Sequence, residues 1–252
     1  MADNRRHRGP HPADASLFAP AAWPGLQHAV HDLSWLLSRG YAAPSALKLT
    51  GDRRHLAARQ RLAVLRSACG DDALARRLQH RVSPEEVSGR TLMIDGFNLV
   101  TTIEAALAGG VLLLGREGCL RDMASMHGSY RRVSETRPAL AMIRQEIERL
   151  QPAGCCWLLD RPVSNSGRLC EMIREAGSDL TFGWEARLEN DPDVVLRDLP
   201  AGQIAVTADS GILDQTAAWF NLAPVIVARH VPEAVPIPMA ALCPPASQQP
   251  GN

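Results

Sequence analysis

An α/β domain built on a central parallel sheet, preceded by a small all-α module, is the fold class this sequence predicts. Short apolar runs, "LMI" (92–94), "CCWLL" (155–159), "QIAV" (203–206) and "PVIV" (224–227), are separated by amphipathic segments. Strands alternating with helices imply a parallel sheet covered on both faces. Between about residues 22 and 81, by contrast, no strand-like alternation occurs and the apolar spacing is helical. A chain of 252 residues with 46% hydrophobic content can bury the cores of a small domain joined to a medium one.

Residues 1–21 are rich in Pro, Ala, Arg and His without periodicity and are expected to form a disordered tail. The helical module is expected over 22–88. Within it "LQHAVHDLSWLLSRG" ends on Gly40, a helix stop, and Asp52 is expected to cap a helix carrying Ala58, Leu62, Leu65 and Cys69 at helical intervals. On that helix Arg59 and Arg66 stand two turns apart, as do Arg54 and Arg61; a solvated helix face explains this as well as a phosphate-binding one. "SPEEVSG" (83–89) reads as a linker or capped turn. The α/β domain follows over 89–231, with helices expected at 136–151, 166–177, 193–199 and 210–221 and a further strand in "LTFGWEARL" (180–188). The Pro-rich segment 232–252 reads as a second tail.

Charge is divided: residues 1–90 carry 14 Lys/Arg against 8 Asp/Glu, and the remainder 13 against 19. A +6 part beside a −6 part suits a polyanion-binding surface next to an acidic site, or a chance balance of solvated faces. The 6 cysteines form no CxxC pair and have no His at metal-ligand spacing, so they read as reduced, buried thiols. The N-terminus lacks an apolar segment behind its arginines, and no run of 18 apolar residues occurs. No signal peptide, membrane span or membrane partner is therefore expected, and the expected location is cytoplasmic.

In open parallel sheets the ligand crevice lies at the carboxyl ends of the strands. "TLMI" ends at Asp95, "CCWLL" at Asp160 and "QIAVTA" at Asp209. Asp214 follows about one helical turn after Ser210, and Asp193 opens "DVVLRDL", with Asp191 upstream. Any one of these is equally well a turn residue or helix cap. Together they form a carboxylate cluster whose repulsion a cation would relieve, and an all-oxygen donor set suits Mg²⁺ or Mn²⁺. Asn98 either supports Asp95 or caps the helix that starts near Leu99.

"LMIDGFNLV" resembles the opening strand and loop of PIN-like and NYN nuclease domains, and "DPDVVLRDLPAGQIAVTADSGILD" resembles their later half. The resemblance covers residues 91–228. From "WLLSRGYAAPSALKLTGDRRHLAARQRLAVLR" through "DRPVSNSGRL" to "TADSGILD", the chain also resembles an uncharacterised prokaryotic family, a domain of unknown function of the 434 type. The resemblance implies a PIN-like three-layer fold and a metal-dependent ribonuclease. It implies Asp95 as the principal ligand of Mg²⁺ or Mn²⁺, Asp193 and Asp209 as further ligands, and Asp214 and Asn98 as supporting catalytic groups. Asp160 matches less closely as a metal ligand, and segment 108–135 is longer than the plain link of the family.

The partner expected is RNA, held by Arg116, Arg121, Arg131 and Arg132 of the insertion and by Arg59 and Arg66 of the module, with Tyr130 stacking on an unpaired base. Ser166 in "SNSGRL" either holds an anion at a helix N-terminus or caps that helix. Two readings compete with a ribonuclease. One is an RNA-binding protein without turnover. The other is a metal-dependent phosphatase, against which Phe97 counts, because it stands where a dehalogenase-type phosphatase carries the second Asp of DxD. A homo-oligomer stays open.

Overall fold

The computed structural model describes residues 8–123 and 130–240. Helices fill the first third: α1 (Asp14–Leu17), α2 (Trp23–Leu37), α3 (Ala43–Arg53), α4 (Ala58–Ser67), α5 (Asp71–Gln79) and the single turn α6 (Pro84–Val87). There follow β1 (Thr91–Asp95), α7 (Gly96–Leu107), β2 (Leu112–Leu114), β3 (Leu120–Asp122), α8 (Thr136–Leu150), β4 (Gly154–Asp160) and α9 (Ser166–Ala176). The chain continues with β5 (Gly183–Glu189), α10 (Pro192–Arg197), β6 (Gln203–Val206), α11 (Ser210–Leu213), α12 (Leu222–His230) and β7 (Ile237–Pro238).

The central sheet is parallel throughout, in the order β5-β4-β1-β6. Alternation sorts its side chains. Leu92, Ile94, Trp157 and Leu159 face one way and pack with α7, α8, α9 and α12. Met93, Cys156, Leu158 and Ala205 face the other and pack with Leu196, Ile212, Leu213 and Trp219. The sheet is thus a buried middle layer, and β1 and β6 run in register from Thr91↔Gln203 to Ile94↔Val206. Their carboxyl ends emerge together, which sets Asp95 beside the Thr207–Asp209 loop.

A second sheet, β3-β2-β7, comes from segments where no strand was expected. The long insertion folds as a hairpin, with Gly118 at φ 83° in its turn, and part of the expected C-terminal tail is its third strand. Pro238 sits there because β7 lies at the sheet edge. Leu113, Met123, Ile237 and Met239 complete the hydrophobic core of α2–α4, so the helices rest on this sheet.

Several local expectations change. "PVIV" lies inside α12, because Pro224 is tolerated in a first helical turn while Ile226 and Val227 are buried in the main core. Asp52 caps nothing: it lies in α3, pairs with Lys48 and Arg61, and is followed by a break with His55 at φ 51°. The helix expected over 210–221 is only one turn. Where a disordered tail was expected, residues 8–21 hold α1 and bind the folded core, Asp14 to Arg59 and Arg8 to the buried Glu104. The described cysteines are free and buried; Cys243 lies outside the described residues. Among the described residues no helix is long and apolar enough to cross a membrane.

Gly96 joins β1 to α7 against a neighbouring strand. A methyl there would approach Leu159 Cδ2 to 2.7 Å and the Leu158 carbonyl to 3.0 Å. Gly96→Ala is expected to lower stability by about 1–3 kcal/mol, the usual result of overpacking. A denaturant midpoint no lower than that of the parent would contradict this packing.

Candidate active site

Asp95 ends β1 and caps α7: its Oδ1 accepts from the Asn98 amide at 3.3 Å and its Oδ2 from the Thr207 hydroxyl at 2.8 Å. Thr207 Oγ1 accepts in turn from the Asp209 amide at 3.0 Å, so one hydroxyl joins the two strand-end loops. Asn98 Oδ1 accepts from the Ala208 amide at 2.9 Å, a second cross-link between the same loops. Asp209 caps α11, its Oδ1 accepting from Gly211 at 2.7 Å and Ile212 at 3.2 Å. Its side chain is exposed, whereas Asp95 is half-buried.

Loss of water and the charges of Asp209 and Asp193 push Asp95 up to about 7, against the hydrogen bonds from Thr207 and Asn98. Asp193, in the first turn of α10, is also raised, first by burial and then by Asp209, although Arg197 lies 3.0 Å away. Burial and the nearby Asp191 raise Asp160 at the end of β4. Asp191 itself caps α10 through the Val194 amide. Carboxylates thus interact along the edge from Asp95 to Asp160. Among the described residues, however, no three His, Cys, Asp or Glu side chains are close enough together to enclose an ion. Mg²⁺ as a rule keeps several waters and needs only one or two protein carboxylates.

Asp214 turns to the helical module, where Arg77 on α5 donates to it at 2.7 Å. Most of the arginines expected to hold RNA are also engaged within the protein. Arg59 binds Asp14, and Arg116 donates to the Cys69 carbonyl and to Asp71. Arg121 is buried, paired with Glu117, and donates to the Ala208 carbonyl at 2.9 Å, so it braces the Asp209 loop from inside. Ser166 and Tyr130 are buried as well. The Ser166 hydroxyl faces the Arg161 carbonyl, and the Tyr130 hydroxyl donates to Glu104 at 2.6 Å, which rules out base stacking by Tyr130. Arg131 and Arg132 are exposed, and Arg66 is half-buried with its guanidinium donating to the Asp122 carbonyl at 2.6 Å.

Arg66 opens onto a cavity of about 650 Å³ between the helical module and the strand ends. Asn98, Asp209 and Ser210 line its far side, together with Asp122, whose Oδ2 lies 3.2 Å from the Thr102 hydroxyl. Sequence reasoning gave no role to Thr207, Asp122, Arg77 or Glu117. Thr207 was within reach of it, as the first residue of the "TAD" turn. The others depend on the hairpin and on α5 being carried to the sheet edge.

Asp95 gives the site a pH signature. Its folded pKa exceeds the unfolded carboxylate value of about 3.9, so between about pH 4 and 7 the native state keeps a proton that the unfolded chain has lost. Stability contributed by that proton falls as pH rises through this window. Asn preserves the cap without the charge. Asp95→Asn is therefore expected to melt above the parent at pH 8, by about 2–4 °C for each kcal/mol of charge penalty relieved. The advantage should shrink toward pH 4; a pH-independent difference would contradict the assignment.

Two family models match successive parts of the chain. Residues 25–80 match the family described as Protein of unknown function (DUF434). A 188-residue alignment, spanning 75% of this chain and 88% of the relative, shows 24% identity to the uncharacterized protein MJ0935 of Methanocaldococcus jannaschii. No solved structure matches the chain significantly. Residues 84–225, more than half of the chain, match the family described as Domain of unknown function (DUF5616), and the chain belongs to that family.

Proposed function

We propose that this protein is a divalent-metal-dependent ribonuclease with a PIN-like α/β domain, hydrolysing phosphodiester bonds at the strand-end carboxylates. The observation that carries this reading is the half-buried Asp95, held near neutral pKa and coupled through Thr207 to the exposed Asp209. An isolated carboxylate in such surroundings is unfavourable unless a cation or a proton compensates it.

Asp95 and Asp209 would hold Mg²⁺ or Mn²⁺, with Asp193 beside them. Such an ion, when bound, lowers the pKa of a water and stabilises charge on a phosphate. The chain's own residues supply the positioning. Thr207 fixes Asp95 Oδ2, and Asn98 keeps the Ala208–Asp209 backbone against the start of α7. Arg197 offsets part of the charge of Asp193. Exposed Arg131 and Arg132, and Arg66 at the cavity, offer charge to a phosphate backbone, a contact that sets affinity rather than sequence choice.

Incubation of the full chain with labelled single-stranded RNA, structured RNA and a chromogenic phosphomonoester, each with Mn²⁺, Mg²⁺ or EDTA, tests the reading. Cleavage of RNA that EDTA stops is expected. Asp95→Asn and Asp209→Asn should each reduce it at least about 100-fold, the upper end of what losing an outer-sphere partner costs, while RNA retention persists. Undiminished cleavage by both variants would overturn the assignment. Binding without cleavage would favour an RNA-binding protein, and monoester hydrolysis in place of RNA cleavage a phosphatase.

A further inference from the structure

The cavity between the helices and the strand ends is built asymmetrically. Leu37, Leu65, Ala68 and Ala73 give it an apolar wall from the helical module, while Asn98 and Asp209 give it a polar floor. Of the arginines lining it, Arg77 is paired with Asp214 and Arg121 with Glu117. Arg66 has no carboxylate partner among the described residues, and its bond to the Asp122 carbonyl fixes the guanidinium while leaving other donors open. A cation carried by the module thus reaches across the cavity to the Asp122 carbonyl, and the exposed Asp209 carboxylate lines the same polar side.

Resting on the nuclease reading, we propose that this cavity receives one unstacked nucleotide of a single RNA strand, its phosphate on Arg66 and its base on the apolar wall formed by Leu37, Leu65 and Ala73. A volume of about 650 Å³ lies within the range of sites that enclose one small ligand. A ligand anionic at one end and flat at the other matches this lining, because guanidinium binds phosphate through paired donors and the face of a base packs against apolar side chains. The helical module then forms one wall of the substrate site. A nucleotide seated there brings the adjoining phosphodiester toward Asp209.

Calorimetric titration of the full chain in EDTA, where no turnover occurs, tests this with adenosine 5′-monophosphate, adenosine and inorganic phosphate as separate probes. The monophosphate is expected to bind, with adenosine and inorganic phosphate each weaker. Arg66→Ala should weaken monophosphate binding at least about tenfold, the effect of one lost charge-assisted hydrogen bond. Arg66→Gln, which keeps a donor for the Asp122 carbonyl, should show the same loss and guards against a folding defect. Leu65→Asp should weaken the monophosphate and adenosine alike. Absence of monophosphate binding, or equal binding by the parent and both Arg66 variants, would overturn the proposal. Monophosphate binding in a chain that cuts no RNA with Mn²⁺ would overturn the nuclease reading and leave the pocket standing.

Discussion

The hydrogen bond from Thr207 to Asp95 joins the ends of the neighbouring strands β1 and β6, and the geometry of the carboxyl-end edge depends on it. Parallel pairing of β1 with β6 brings the strand tips side by side, but pairing alone would leave two loops free to separate. Thr207 closes them by donating to one aspartate while accepting from the backbone of the next. Asn98 repeats the closure one step away. Both bonds favour the ionised form of Asp95 or hold the loop around it, yet burial and neighbouring carboxylates win, and the group stays near neutral pKa. An edge so arranged is short of positive charge at one point, and that shortage is the physical basis for expecting a cation.

A second network holds the helical module to the same edge. Arg77 on α5 reaches both Asp214 and Glu117, Glu117 reaches Arg121, and Arg121 donates to the Ala208 carbonyl beside Asp209. Arg77 and Glu117 are almost wholly buried, so removing either partner would strand a charge away from water. The two parts of the chain are therefore joined by polar groups at the cavity and by apolar packing beneath β2 and β7. Helices that read as a separate module in the sequence share a core with the insertion and the C-terminal segment.

Much of the α/β layout was legible because buried parallel strands are short continuous apolar runs and the helices between them are amphipathic. The same rule misread "PVIV", since a short β-branched run bounded by Pro looks alike in a buried helix and a strand. The hairpin within 108–135 was hidden because its strands are only three residues each, and its role comes from non-local pairing with β7. At the site, Asp95 and Asn98 could be read from "DGFN" and Asp209 from "TAD". The arginines could not be sorted, because sequence does not say which guanidinium meets an internal carboxylate. Asp14, Asp71 and Glu117 take Arg59, Arg116 and Arg121, while Arg66 is left with a carbonyl.

The central claim is that the Asp95–Thr207–Asp209 edge is a cation site. Anomalous diffraction from crystals soaked in Mn²⁺ tests it most directly. The account predicts an anomalous peak in contact with the carboxylates of Asp95 and Asp209, absent from crystals of Asp95→Asn. A peak only elsewhere on the surface, or one of undiminished height in Asp95→Asn, would contradict it.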